Sequence, residues 1–271
     1  MRKSIVLLAA LTFAVAWAGL ATADWLPGWD DPEVKMHYAQ LPDTTTFGWD
    51  VLSSGVCATP VCRVADDFMC TETGWVKDIH FWGSWKNDVM GQIEYFHFEI
   101  FANNAGQPGQ RLWWYDAPIA DVQIVTKNAP NEGWWDPCAP EVLPLNHAAY
   151  YQYNVDILQG RWFCQDQGQV YWLSVYACVV DPLTQWGWKT SISQLYGEDG
   201  MYGWTGGPWI GYLVDPTTQL SRDLAFVITG DAVAPPRVPS LSEWGVIILA
   251  MLIAAAGVVA VLRRRAAVRA C

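Results

Sequence analysis

Residues 149–158 read Ala-Tyr-Tyr-Gln-Tyr-Asn-Val-Asp-Ile-Leu, with Tyr151, Tyr153, Val155 and Ile157 on one parity and Gln152, Asn154 and Asp156 on the other. Alternation with a period of two is the signature of a β-strand that turns one face to a core and the other to water. Related short runs recur at 76–82, 93–101, 111–115, 119–126, 169–179, 208–214 and 223–229, parted by Gly- and Pro-bearing turns at 103–109, 197–200 and 205–208. No stretch between the two ends holds a helical period over three turns, and no repeat of fixed period occurs. Many short strands without interleaved helices predict an all-β ectodomain, an antiparallel β-sandwich or jelly roll. Residues 24–231 are long enough for one such domain, and Ala234-Pro235-Pro236-Arg237 reads as a stiff spacer within 232–237.

The ends of the chain carry export signals. Arg2-Lys3, an uncharged apolar run over 5–20 and the small residues Ala21-Thr22-Ala23 follow the order of a secretory signal peptide, here 1–23. Residues 246–262 are apolar and uncharged, end at Arg263-Arg264-Arg265 and begin beside Trp244, which predicts one C-terminal transmembrane helix with a short cytoplasmic tail at 266–271. The ectodomain is then outside the cytoplasm, membrane-anchored or on the cell surface.

Val238-Pro239-Ser240-Leu241-Ser242-Glu243-Trp244-Gly245, followed by the apolar span and the arginines, resembles the IPTLxxWG-type C-terminal protein-sorting signal over 238–265. Pro239, Leu241, Trp244 and Gly245 match that pattern, while Val238 and Ser240 stand for its usual Ile and Thr. The resemblance implies a membrane-bound, sortase-like protease as a partner. The stretches 65–70, 78–85, 133–137 and 186–190 likewise resemble an uncharacterised Trp-rich domain of exported bacterial proteins, which implies no activity.

All 27 Asp and Glu lie between Asp24 and Glu243, against ten Lys and Arg there. Such an acidic body repels nucleic acid, which binds through cationic side chains. Six cysteines, Cys57, Cys62, Cys70, Cys138, Cys164 and Cys178, fall in the exported part, where disulfides persist; spacing does not choose among the fifteen pairings of six cysteines, although Cys57 and Cys62 suit a small loop. No Cys-x-x-Cys pair points to zinc.

Sixteen of the 18 tryptophans lie between Trp25 and Trp209, several in adjacent pairs. Neighbours on a strand point to opposite faces, so each pair should leave one indole toward solvent or a loop cover. Indoles beside Asp and Asn suit neutral polysaccharide, and Trp82, Trp85, Trp134, Trp135, Trp186, Trp188, Trp204 and Trp209 are the candidates, the first six foremost, against the plainer reading that they fill a core. His97 and Glu99 share a strand face and read as a solvated edge. Asp66-Asp67 and Glu198-Asp199 offer oxygens for structural calcium but lack the twelve-residue calcium loop; no other metal and no cofactor is expected. No Gly-x-Ser-x-Gly, His-Glu-x-x-His or glycine-rich phosphate loop is present, and no carboxylate pair stands out by spacing. The expectation is a non-enzymatic structural or adhesive surface protein, with a carbohydrate-binding module as the alternative and a glycan-active enzyme third. If the leader is cleaved as its residues indicate, N-terminal sequencing of the protein recovered from the envelope gives Asp24-Trp25-Leu26, and an intact Met1 refutes cleavage.

Overall fold

The computed structural model describes residues 34–232, except 58 and 193–195. The leader, the sorting motif Val238 to Gly245, the span 246–262 and Arg263 to Arg265 lie outside the described residues. Within the described residues no helix is long and apolar enough to cross a membrane.

Among the described residues fourteen strands form: β1 (Trp49–Leu52), β2 (Ser54–Val56), β3 (Cys62–Met69), β4 (Gly74–Trp85), β5 (Ile93–Asn103), β6 (Pro108–Pro118), β7 (Val122–Asp136), β8 (Glu141–Asp156), β9 (Phe163–Gln165), β10 (Val170–Val179), β11 (Trp186–Lys189), β12 (Met201–Trp204), β13 (Trp209–Tyr212) and β14 (Phe226–Ala232). They make two sheets, ordered β11-β1-β7-β8-β4-β14 with β9 on β4, and β13-β12-β3-β10-β5-β6 with β2 on β10. The sandwich expected from the alternating runs is present. It is not purely antiparallel, since β1 pairs with β7 and β2 with β10 in parallel.

Between the sheets lies an aromatic core. Phe81 of β4, Phe96 of β5, Tyr153 of β8 and Trp186 of β11 meet mostly edge to face, with ring centroids 4.9–6.0 Å apart. That geometry aligns ring edges with ring faces and adds to the burial of large apolar areas. Tyr153 also accepts a bond from Trp186 Nε1 at 3.1 Å, so the buried indole N–H is satisfied.

The first sheet has a second property. Strand β11 pairs with β1 on one side and with β4 on the other, so β11, β1, β7, β8 and β4 close a five-strand ring. Closure demands close backbone approach, and glycine supplies it: a Cβ on Gly83 would lie 2.3 Å from the Gly187 carbonyl oxygen, and one on Gly187 would lie 2.8 Å from the Trp134 ring.

The ring explains why the adjacent-tryptophan expectation fails. Trp135 faces the core between the sheets, while Trp134, on the opposite face, enters a separate cluster with Leu52 and Cys62 and is fully buried. A sheet that closes on itself has two interiors, so both parities are buried. Trp113-Trp114 on β6, outside the ring, behaves as expected, with Trp113 against the core and Trp114 exposed.

Two disulfides staple the domain. Cys62 of β3 joins Cys138, just after β7, and so links the two sheets with a Cα–Cα distance of 6.1 Å; Cys57 joins Cys178 of β10 at 5.3 Å. Cys57 and Cys62 therefore do not close a small loop together. Cys70, buried, and Cys164, exposed, carry free thiols. Burial pushes the Cys70 thiol up to about 11.

Because the Gly83 Cβ position is blocked by backbone, Gly83→Ala is expected to lose about 1–3 kcal/mol, the usual range for overpacking. Thermal unfolding of the variant reads this, and an unchanged melting temperature refutes the tight closure.

Candidate functional site

The face of the ring strands turned away from the core carries one polar residue from each strand: Asp50 (β1), Glu132 (β7), His147 (β8), Ser84 (β4) and Lys189 (β11). Parity places Asp50, Ser84 and Lys189 there, since their chain neighbours Trp49, Val51, Trp85 and Trp188 belong to the inter-sheet core, whereas Glu132 and His147 pair with each other at an irregularity in the β7–β8 register. All five are buried to within 1 % exposure. Asp50 and Lys189 are directly opposite in register. The neighbouring pair is bonded through Thr190 N to Trp49 O at 2.8 Å. Asp50 and Lys189 are thus a pair without mutual backbone bonds, the kind whose side chains approach most closely.

Lys189 Nζ donates to Asp50 Oδ2 at 3.2 Å and is ion-paired with Glu132 Oε2. His147 Nε2 lies 2.8 Å from Asp50 Oδ2, and Ser84 Oγ lies 2.9 Å from the same nitrogen and also bonds the Asp50 carboxylate. Asp50 Oδ1 and Glu132 Oε1 have no hydrogen-bond partner among the described residues. Burial favours a neutral Asp50, but the Lys189 and His147 charges outweigh it and hold the carboxyl below its ordinary value. For Glu132 burial wins, and its carboxyl is pushed up to about 7 despite Lys189. Burial disfavours the Lys189 ammonium, yet the two carboxylates more than compensate and raise it.

This Ser-His-Asp set is not a hydrolytic relay. A relay uses opposite ring nitrogens, whereas Ser84 and Asp50 engage the same Nε2, and the other nitrogen faces Asn146 Oδ1 at 3.4 Å. Asp50, Glu132 and His147 bring donor atoms within 4.8 Å of one another, as a divalent ion would require. The Lys189 ammonium already supplies the positive charge between the two carboxylates.

A second cluster gathers around β3. Asp66 Oδ2 accepts from Gln40 Nε2 at 2.9 Å and Leu224 N at 2.6 Å, Asp67 Oδ2 accepts from Glu198 N at 3.3 Å, and Asp223 Oδ2 accepts from Tyr196 N at 3.0 Å. Asp66 and Asp67 lie within β3, and Asp67 feels the charges of Asp223, Glu198 and Asp199, but these carboxylates are not among the described groups whose ligand atoms lie within 4.8 Å of one another. Burial first, then the mutual repulsion of these carboxylates, raises Asp66 well above its ordinary value and Asp67 and Asp223 to about 7. His37, stacked on Tyr196 at 3.8 Å, is lowered by burial to about 3.

His97 and Glu99 do share a face, but not a solvated edge. Strand β5 is flanked by β10 and β6, and Glu99 is buried, ion-paired with Arg63 and Arg111 (2.7 Å) and 3.8 Å from His97. Burial alone would raise Glu99; the His97 bond and the Arg63 charge outweigh it and bring it to about 2.

Trp82, Trp85, Trp134, Trp135, Trp186 and Trp188 are all buried, at 7 % exposure or less, so the expectation of an open sugar-binding ring face at these six is corrected. The half-exposed indoles are Trp75, Trp114 and Trp204. Sequence reasoning missed the ring cluster altogether. Its one local signal was a charge ending or interrupting an aromatic run, as in Trp186-Gly187-Trp188-Lys189 and Gly48-Trp49-Asp50-Val51.

The molecule is thus an aromatic-cored, disulfide-stapled β-sandwich that buries several clusters of ionisable groups. Residues 36–229 match the family described as Domain of unknown function (DUF7901), and the chain belongs to that family. Residues 238–266 match the IPTL-CTERM motif, as the resemblance read from Pro239, Leu241, Trp244 and Gly245 implied, and mark the chain as an exported protein. No curated protein matches the chain, and no solved structure does.

The raised carboxyls set the pH response. Asp67 and Asp223 bind protons more tightly folded than unfolded, so the stability they contribute is complete below about pH 4 and is lost as pH rises through about 7. His37 acts oppositely, losing its contribution as pH falls from 6.5 toward 3. In chelator-containing buffer, Asp223→Asn is expected to match the parent's melting temperature at pH 5 and exceed it at pH 8; equal values at both refute a raised Asp223.

Proposed function

We propose that the exported domain is a non-enzymatic structural or adhesive module of the cell envelope or extracellular matrix, delivered by its C-terminal sorting signal and processed or retained there through a sortase-like membrane protease. The observation that carries the reading is where the reactive residue types are spent. The ring cluster is wholly enclosed, the Glu99 network is locked by two arginines, four cysteines are oxidised in pairs, and six candidate indoles fill the interior. These features favour persistence in a harsh compartment over turnover of a substrate.

Carbohydrate binding is the second reading, and the exposed Trp114 favours it. The residue is 44 % exposed, its ring nearly parallel to that of His97 at 6.0 Å and 5.3 Å from the Arg161 guanidinium. Such a rigidly backed indole offers a face for neutral polysaccharide.

The two readings separate in one set of variants. Trp188→Ala is expected to cost about 3–5 kcal/mol of stability, as truncation of a core aromatic does, whereas Trp114→Ala leaves the melting temperature nearly unchanged. If the parent shows salt-resistant fluorescence quenching by neutral polysaccharides and Trp114→Ala abolishes it, the domain is a glycan-binding module and the purely structural reading fails. In the native host, Pro239→Ala or Trp244→Ala is expected to change the size or fractionation of the mature chain; identical behaviour refutes sorting by this motif.

A further inference from the structure

We propose that Lys189 and Asp50 condense into an intramolecular amide, with Glu132 as proton carrier and His147 and Ser84 holding the acyl oxygen, so that β11 and β1 are joined covalently inside the ring. The inference goes beyond the structural reading above and does not depend on it.

Geometry supplies the reason. An amine and a carboxyl react when held in contact and kept from water, because fixed proximity removes the entropic cost of encounter and exclusion of water removes the pull of hydrolysis. Lys189 and Asp50 oppose each other in the close-approach register, with Nζ 3.2 Å from Oδ2 and neither side chain exposed to solvent. The two oxygens of Asp50 are unequal. Oδ2 is held by His147 Nε2 at 2.8 Å and faces Ser84, the donors an oxyanion needs, while Oδ1 has no partner. Oδ1 is therefore the oxygen to leave. Glu132 touches Nζ through Oε2 and keeps Oε1 unpartnered, and a carboxyl pushed up to about 7 takes and returns a proton readily near neutrality.

The step balances within the cluster. The Lys189 ammonium gives one proton to Glu132, which passes it to Asp50 Oδ1. The freed Nζ lone pair forms the Nζ–Cγ bond, and the carbonyl pair moves onto Oδ2, stabilised by His147 and Ser84. A second Nζ proton travels through Glu132 to Oδ1, the pair on Oδ2 returns, the Cγ–Oδ1 bond breaks and Oδ1 leaves as water. One ammonium and one carboxylate become one amide and one water; nothing is oxidised or reduced, and Glu132 and His147 end as they began. The product removes an ion pair and an unpartnered oxygen from a sealed interior, where both are costly.

The test is the mass of the exported full-length protein after complete reduction and denaturation. The expected value is lighter by one water than the sequence between the termini found on that protein, with tryptic peptide 36–63 attached to 162–222 and no cleavage after Lys189. A full, unshifted mass overturns the proposal whatever the variants do, and a link to peptide 128–161 overturns it in favour of Glu132 as the acyl partner. Glu132→Gln, purified as a folded protein with the parent's circular dichroism, is expected to retain the water; a fully linked Glu132→Gln overturns the proton-carrier role. Asp50→Ala supplies the control, since its mass must equal its sequence.

Discussion

Closure of the first sheet is the constraint from which the rest follows. One four-residue strand, Trp186–Lys189, bonds to β1 along one edge and to the end of β4 along the other. An ordinary sandwich buries one face of each sheet and wets the other. Here part of the second face is folded around itself, and the residues enclosed there lose water. Gly83 and Gly187 permit the approach, and Trp134, Leu52 and five polar residues occupy the space it encloses.

Burying charge in that space is expensive unless each charge meets its opposite with good geometry. Three ionic groups at the ring centre meet this condition, with Lys189 between Asp50 and Glu132 and His147 beside Asp50. Elsewhere the same rule is satisfied differently. Glu99 is compensated by two arginines and stays ionised, whereas the carboxyls around Asp66 have no cation among their described contacts and are driven toward the neutral form. The net acidity of the body thus includes groups that do not ionise together at neutral pH.

The alternating runs made most of the sandwich legible. The runs at 93–101, 169–179 and 223–229 lie within or overlap β5, β10 and β14, and the period of two at 149–158 identified Tyr151, Tyr153, Val155 and Ile157 as one face of β8 and its end, all in the core. Strand β3 escaped notice because Asp66 and Asp67 interrupt it, and β1 and β11 because four residues are too few to show a period. Those two short strands are the ones that close the ring, so the site built on them was illegible as well.

What the sequence determined by itself is local or compositional: an all-β body, cysteines placed for an oxidising space, and an IPTL-type tail whose Pro239, Leu241, Trp244 and Gly245 are recognisable without any fold. These depend on residues near one another in the chain. Only the tertiary structure decided which cysteines pair, that both members of Trp134-Trp135 are buried, and that Ser84, Asp50, Glu132, His147 and Lys189 meet. Separations of 63 residues between Ser84 and His147 and 139 between Asp50 and Lys189 carry no local signal. Their encounter is fixed by strand register and ring closure, which exist only once the whole sheet has formed.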